Sequence, residues 1–377
     1  MIQTTSQKKK KGEEVSNSNG IGSYIPHDIH FSILSKLPVK SIKRFSCYPN
    51  SFFYFLSGHK FQNKLKLNFP HPFNTPELDT IDILGSVNGI LCVIGYIRNI
   101  GTSTILLNPA TEEVKVLPVS RGELLSEITT ELVFHGFGYD NVRDDYKIIQ
   151  YVDVVEGKDP FWEIYSLKTD SWRKIRIDMP VRCGVYANRD VYLNGVCHWL
   201  GQVEGNDEKF NMVMVSFHLG NEVCFVTPLP FLEDMEYGFE DVKLQVFNGS
   251  VAVIFNHIET KSFHISILGE KIGVKESWVR LFDIGPFSCI MDPIIVWKKG
   301  NILVRKEDDQ LACFDLTTGM IEEIGVKAEQ FCQVVVYKKS ELPFGVIDLC
   351  CPCGKAVRHG HPNNCLYSRL IAFIAFL

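Results

Sequence analysis

Cysteine and histidine residues crowd the last part of the chain, where they could supply metal ligands. Thiolate and imidazole groups are the ligands that zinc prefers. The candidate ligands are Cys350, Cys351, Cys353, His359, His361 and Cys365. The segment lacks the paired Cys-x-x-Cys motifs of structural zinc sites. We therefore expect no metal site here, and no residue pattern elsewhere indicates another cofactor.

Acidic and histidine residues elsewhere could act as catalytic acids or bases, but their positions favour structural roles. Asp144 and Asp145 are adjacent, and neighbouring strand residues point to opposite faces of a sheet, so this pair suits a turn. His135 and His198 flank aromatic residues in apolar runs, which is typical of hydrogen-bonded core histidines. The chain also lacks a Gly-rich phosphate loop, a nucleophile elbow and a His-Glu-x-x-His motif. The motifs thus identify no catalytic residue.

The composition indicates a globular protein with no bulk attraction for nucleic acid or membranes. The 377 residues are 45% hydrophobic and carry a net charge of -5. No apolar run approaches the ~18 residues that a membrane span needs. Residues 1–22 are polar, without the apolar core of a signal peptide. Most of the 12 cysteines are scattered singly, and those in apolar runs suggest buried, reduced thiols. We expect an intracellular protein, cytoplasmic and/or nuclear.

After the polar tail of residues 1–22, residues 23–68 show helical spacing of apolar residues. Pro26 suits a first helical turn, and Pro38 ends the helix that follows. Further short helices are predicted, including Ser51–Leu56 and Lys60–Leu67. The apolar stripe exceeds what such short helices can bury among themselves, so it should face a partner protein. The residues expected to bind this partner are Ile25, Pro26, Ile29, Ile33, Leu37, Pro38, Val39, Ile42 and Phe45.

Between residues 75 and 345 the pattern changes to short strands of period two, with a repeated hairpin. Each repeat is a strand that ends in a polar residue, then a turn, then an apolar residue that opens the next strand. The turns begin at about residues 108, 166, 218, 267 and 315, and spacing near fifty is typical of kelch-like propeller blades. The five tryptophans should pack between blades; they are Trp162, Trp172, Trp199, Trp278 and Trp297. A sixth blade is predicted, closed by strands from residues 80–95 and 330–337.

Several motifs resemble those of plant F-box proteins with an F-box-associated domain. The most diagnostic is Leu37-Pro-Val-Lys-Ser41 within an F-box-like segment, Tyr24–Cys47. Motifs of the associated domain are Gly85–Cys92, Leu107–Thr111, Gly136–Asp140, Asp144–Lys147, Tyr165–Trp172 and Asn194–Trp199. The resemblance covers about residues 24–340. It implies a mainly β protein with a small α N-terminal domain: a helical F-box followed by a kelch-like β-propeller. Residues 346–377 depart from the family as an atypical Cys-rich tail.

The resemblance also implies a function. Members of this family bind a Skp-type adaptor through the F-box, and the adaptor binds a cullin scaffold. The propeller binds a protein substrate for ubiquitination, and no residue of the receptor need be catalytic. Loops at the top of the propeller, such as 153–160, 201–210 and 231–241, are expected to set the substrate, whose identity the sequence does not reveal.

Two alternatives remain open. Phe52 stands where the family usually has Trp, and Pro49 interrupts the same expected helix, which favours an adaptor-independent interaction protein with a decayed F-box. A propeller enzyme is the second alternative, and it would require His, Asp or Tyr groups that converge at the central channel.

Overall fold

Alternating apolar and polar residues fold most of the described chain into short antiparallel strands. The structure is a computed structural model. It describes residues 51–57, 63–67, 72–73, 75, 77–97, 101–124, 130–154, 159–177, 190–204, 210–230, 241–269, 273, 277–296, 301–328, 333–340 and 369–376. The chain divides into two units, Met1–Phe45 and Ser46–Leu377, and all described residues belong to the second.

The first two strands are β1 (Ser51–Ser57) and β2 (Asn63–Leu67), which pair with each other. Both segments were predicted as helices of the F-box unit, and that prediction is wrong. Phe- and Tyr-rich runs and alternating basic and apolar residues suit a strand at least as well as a short helix. The remaining F-box prediction, including all nine partner-binding residues, lies outside the described residues.

Five sheets are blades made of four consecutive antiparallel strands each. Blade 1 contains β3 (Leu78–Val87), β4 (Ile90–Ile97), β5 (Gly101–Asn108) and β6 (Glu113–Val116). A short helix, α1 (Arg121–Leu124), follows it. Blade 2 contains β7 (Thr130–Asp140), β8 (Asp145–Val154), β9 (Phe161–Ser166) and β10 (Ser171–Ile175). Blade 3 contains β11 (Val191–Leu193), β12 (Val196–Glu204), β13 (Phe210–His218) and β14 (Val223–Pro228).

The last two blades follow the same order. Blade 4 contains β15 (Val242–Phe247), β16 (Ser250–His257), β17 (Ser262–Leu268) and β18 (Trp278–Ile284). Blade 5 contains β19 (Ile290–Val296), β20 (Asn301–Lys306), β21 (Gln310–Asp315) and β22 (Ile321–Lys327).

A sixth sheet joins strands from distant parts of the chain, and we call it the closing sheet. Its order is β2-β1-β24-β23, where β23 is Gln333–Lys338 and β24 is Arg369–Phe376. From the sequence, a sixth blade was predicted to be closed by strands from residues 80–95 and 330–337. Only β23 fulfils this prediction, because the strands near residue 80 belong to blade 1. The Cys-rich tail therefore ends in a strand of the sheet.

Six apolar clusters hold neighbouring sheets together. Blades 1 and 2, 2 and 3, 3 and 4, and 4 and 5 each share one cluster. The closing sheet shares one cluster with blade 1, where Phe55 contacts Tyr337, and another with blade 5, where Leu56 packs near Leu303. The first strands of the blades also neighbour one another in the order β23, β3, β7, β11, β15 and β19. Each sheet buries both faces against its neighbours, so the sheets stack around an axis as a propeller.

Candidate protein-interaction face

The connections between strands divide the propeller into two different ends. Because consecutive strands are antiparallel, the turns between the first and second and between the third and fourth strands of a blade lie at one end. We call it the short-turn end. The other connections, including 117–129 and 229–241, lie at the opposite end, which we call the long-loop end. Long connections on a rigid scaffold are where binding residues concentrate.

Tight turns at the short-turn end explain several of the repeated motifs. Asn88, Asn194 and Asn248 have φ values of 51°, 49° and 50°, and each is followed by a glycine that also has a positive φ. This is the geometry that Asn-Gly provides in two-residue hairpins. These three turns join the first two strands of blades 1, 3 and 4.

The polar residue that ends the third strand of blades 1, 3 and 5 has a local role, as its position suggested. The side chains of Asn108, His218 and Asp315 each accept a hydrogen bond from the backbone N–H two residues later, at 3.0, 3.0 and 2.8 Å. Such bonds fix the turn that leads into the fourth strand. This part of the repeat therefore builds hairpins and provides no binding site.

The Gly136–Asp140 and Asp144–Lys147 motifs form a buried ionic network at the short-turn end. Lys147 Nζ donates to Asp140 Oδ2 at 2.6 Å and to the carbonyl oxygen of Leu219 in blade 3 at 3.0 Å. Arg143 also donates to Asp140 and to the carbonyl of Gly220. Burial alone would raise the pKa of Asp140, but the hydrogen bonds from Lys147 and Arg143 outweigh it and lower the pKa. The network thus ties blade 2 to blade 3.

The adjacent acidic residues form a turn, as predicted, and not a catalytic pair. Asp144 has a φ of 57° and accepts a hydrogen bond from the hydroxyl of Tyr139. Asp145 instead accepts bonds from the hydroxyl of Ser166 at 2.6 Å and the backbone N–H of Lys168 at 2.9 Å. The two carboxyl groups therefore serve different partners.

The histidine and cysteine side chains that could react are mostly buried. His198 Nδ1 lies 2.8 Å from the hydroxyl of Ser216, and burial lowers the pKa of His198 to about 4. This confirms His198 as a hydrogen-bonded core histidine; the side chain of His135 lies outside the described residues. Cys92, Cys197 and Cys313 are buried and form no disulfide with one another, and burial raises the pKa of Cys92. Raised pKa values make thiols poor nucleophiles.

The tryptophans lie between blades where the structure describes them. The rings of Trp162 in blade 2 and Trp199 in blade 3 are 5.8 Å apart. Trp172 Nε1 donates to the carbonyl of Pro118, and Trp278 Nε1 donates to the carbonyl of Pro228, both at 2.9 Å. Each of these bonds links a blade to the end of the preceding blade's fourth strand or to the residues just after it. The prediction is confirmed for these four residues, and Trp297 lies outside the described ones.

Polar side chains connect the innermost strands of neighbouring sheets. Gln245 on β15 accepts a hydrogen bond from the backbone N–H of Val296 on β19, and Gln333 on β23 accepts one from Ile83 on β3, both at 2.8 Å. Lys243 forms an ion pair with Asp292 on the next blade. The register is irregular near Ile83 and between Pro293 and Ile295, so both of these innermost strands contain a bulge close to the glutamine bond.

The segment after blade 1 has no periodic pattern, so its sequence did not indicate a binding role. It runs along the long-loop end, and the backbone N–H of Gly122 donates to Glu163 Oε1 on blade 2 at 3.1 Å. Gln150 Nε2 donates to the same oxygen at 2.6 Å, and Glu163 is fully buried. Val119 and Leu124 of this segment are 61% and 72% exposed. Blade 2 therefore holds the backbone of this segment, while the side chains of Val119 and Leu124 are exposed.

The three loops predicted to set the substrate connect strands at this same long-loop end. Most of their residues lie outside those described. The same is true of Cys350, Cys351, Cys353, His359, His361 and Cys365. Within the described ranges, no three His, Cys, Asp or Glu side chains are grouped to hold a metal ion. No helix in those ranges is long and apolar enough to cross a membrane.

Comparisons with known proteins agree with this architecture. A family model described as "F-box associated beta propeller domain" matches residues 42–351. F-box protein CPR1 of Arabidopsis thaliana is 25% identical over 272 residues, which cover 65% of this chain and 64% of that protein. A putative F-box protein of the same plant is 24% identical over 301 residues, covering 68% of this chain and 64% of that protein. A further Arabidopsis F-box protein is 31% identical over 293 residues, covering 70% and 68% of the two chains. The chain thus spans just under two thirds of the length of the first two relatives.

Proposed function

Because the chain belongs to the F-box-associated β-propeller family, we propose that it is the substrate-recognition subunit of an SCF-type ubiquitin ligase. The observation that carries this proposal is the family match over residues 42–351, together with relatives that are named F-box proteins. The F-box-like motif Leu37-Pro-Val-Lys-Ser41 precedes the propeller strands in the same chain.

In this proposal the N-terminal segment binds a Skp-type adaptor, and through it a cullin scaffold. The long-loop end of the propeller binds a protein substrate. The chain itself performs no chemistry; it raises the effective concentration of a substrate lysine near activated ubiquitin on another subunit. The complex would act in the cytoplasm and/or the nucleus.

Adaptor binding by Leu37 and Pro38 provides the direct test. We expect the double variant Leu37→Ala, Pro38→Ala to bind a purified Skp-type adaptor about thirtyfold more weakly, since hot-spot truncations cost roughly 2 kcal/mol. Isothermal titration calorimetry on the full-length protein measures the change, and circular dichroism checks that the strands remain folded. Val142→Ser is the matched control, because Val142 is a propeller residue that is 74% exposed. Full adaptor affinity in the double variant would contradict the proposed contact.

A second candidate function is protein interaction without an adaptor. It is favoured by β1, because Ser51–Ser57 includes Phe52, the residue expected at the Trp position of the third F-box helix. A strand there leaves fewer residues for the F-box. Co-purification of the wild-type chain with a Skp-type adaptor separates the candidates: an adaptor in the complex supports the ligase, and its absence supports the second function.

A further inference from the structure

The segment Leu117–Leu124, which we call the docking loop, combines a fixed backbone with exposed side chains. It lies at the long-loop end, between blades 1 and 2. Leu117 and Ser120 are buried, whereas Val119 and Leu124 are 61% and 72% exposed. Arg121 is exposed between these two apolar residues.

Four hydrogen bonds hold the backbone of the docking loop. Its N–H groups donate from Leu117 to the carbonyl of Thr104 at 3.0 Å, from Leu124 to that of Ser120 at 3.1 Å, and from Gly122 to Glu163 Oε1 at 3.1 Å. Its Pro118 carbonyl accepts from Trp172 Nε1 at 2.9 Å. The exposed side chains are therefore presented from a preorganised backbone, which reduces the entropy lost when a partner binds.

The buried carboxyl group of Glu163, which holds the docking loop, destabilises the folded state. Glu163 is fully buried, and within the described ranges neither its Oε2 nor Oε1 of the neighbouring Gln150 has a hydrogen-bond partner. Lys174 lies opposite Glu163 in the strand register, but its Nζ lies over the ring of Phe161. A buried carboxyl group with an unsatisfied oxygen destabilises a fold. Packing alone therefore does not explain why a carboxyl group is buried at this position. Its hydrogen bond to the backbone N–H of Gly122, which holds the docking loop in place, does explain it.

Arg121 indicates which partner the docking loop suits. Among the residues that the structure describes, none forms an ion pair with its guanidinium group, and arginine is always charged. An arginine between two exposed apolar side chains matches a carboxylate that lies next to an apolar side chain on a partner. Arginine and large apolar residues are also the types that dominate binding energy at interfaces.

We propose that the docking loop binds a protein segment in which an acidic residue stands beside a large apolar residue. Val119 and Leu124 contact the apolar side chain, and Arg121 pairs with the carboxylate. The inference rests on the proposed function, since it describes the class of substrate that the propeller selects. It places recognition between blades 1 and 2.

A random dodecapeptide library displayed on phage, selected on the immobilised full-length chain, provides the test. We expect the selected peptides to share an acidic residue next to a large apolar one. Fluorescence anisotropy with labelled peptides then compares variants. Arg121→Glu should weaken binding about fivefold, near the upper range for an exposed ion pair. Leu124→Ser should weaken it about tenfold through lost apolar burial.

Two comparisons make the result decisive. A peptide whose acidic residue is replaced by lysine should bind Arg121→Glu better than it binds the wild type. Val142→Ser, at the short-turn end, should bind every peptide as the wild type does. Selected peptides without acidic residues, or equal affinities in Arg121→Glu, Leu124→Ser and the wild type, would overturn the proposal. So would concentration-dependent dimerisation that Leu124→Ser abolishes, since the loop would then bind a second copy.

Adaptor binding by the same variants separates this proposal from the proposed function. All loop variants should bind the Skp-type adaptor as the wild type does. A wild-type chain that binds the selected peptides but no adaptor would overturn the ligase function and leave the docking loop supported.

Discussion

Asp140 keeps its charge inside the propeller because donors surround it. Both oxygens are used: Oδ1 accepts from the backbone N–H groups of Val142 and Arg143 at 3.0 and 3.2 Å, and Oδ2 accepts from Lys147 at 2.6 Å. Lys147 is itself 3% exposed, so the pair is well shielded from water. Breaking such a pair leaves an uncompensated buried charge, which is far more destabilising than losing an exposed pair.

We predict that Asp140→Asn lowers the free energy of unfolding at pH 7 by about 3–5 kcal/mol. Because the pKa of Asp140 is lowered in the folded state, the stability it contributes is present above the ordinary pKa of Asp and is lost as pH falls through the folded value. The wild type should therefore lose more stability than the variant below about pH 4. Urea unfolding at pH 7 and at pH 3.5 measures both effects.

Asp283→Asn is the control for this prediction, because Asp283 forms an exposed ion pair with Arg280. Its loss should change the free energy of unfolding by less than about 1 kcal/mol. Equal effects of the two substitutions would show that the buried pair does not hold blades 2 and 3 together.

Strands and turns are the scale at which the sequence was most informative. The polar residues at 108, 166, 218 and 315 marked real hairpins, because a turn is decided by residues that are close in sequence. The contacts between blades were not visible in the same way. Trp172 was expected to pack between blades, but its bond to Pro118 joins residues 54 positions apart, and no local pattern encodes that pairing.

Gly136 must be a glycine because of a contact between blades 2 and 3, which the sequence of one strand does not reveal. It lies at an irregularity in β7, its φ is 143°, and an added Cβ would lie 2.8 Å from Cys197 Cβ on blade 3. The sequence identified the Gly136–Asp140 motif by resemblance. The reason for its first glycine is the close approach of β12 on the neighbouring blade.

We predict that Gly136→Ala destabilises the propeller by about 2–4 kcal/mol, since overpacking and an unfavourable φ act together. Differential scanning calorimetry should show a lowered Tm. Gly319→Asn is the matched control: Gly319 has a φ of 68°, an added Cβ would meet no described atom within 4 Å, and asparagine tolerates this conformation. A Tm that falls equally in both variants would place the cause in backbone conformation and not in the contact with Cys197.

The order of the blades could be predicted from the repeat, but the closure of the whole molecule could not. The pairing of β1 with β24 leaves no sign in the sequence, because paired residues such as Leu56 and Ile371 are far apart along the chain. Because of the F-box resemblance, residues 51–67 were predicted to belong to a helical unit. In the structure, β1 and β2 instead belong to the closing sheet. The predicted adaptor-binding residues from Ile25 to Phe45 remain a prediction.

We predict that deletion of residues 369–377 destabilises the entire propeller, because β24 lies between β1 and β23 and its loss leaves two unpaired edges. The Tm should fall by more than about 5 °C, and the protein should aggregate on heating. Deletion of residues 1–22 is the control and should leave the Tm unchanged. A normal Tm after loss of β24 would show that five blades close without it.

The position of β24 has a consequence for protein synthesis. The ribosome synthesises the chain from the N-terminus onward. The strands of blades 1 to 5 therefore emerge before β24, which lies between β1 and β23. The closing sheet is then completed only after the strands of blades 1 to 5 have been synthesised. Chains that stop before β24 would leave β1 and β23 without the strand that lies between them, and such incompletely folded chains are prone to aggregation and proteolysis.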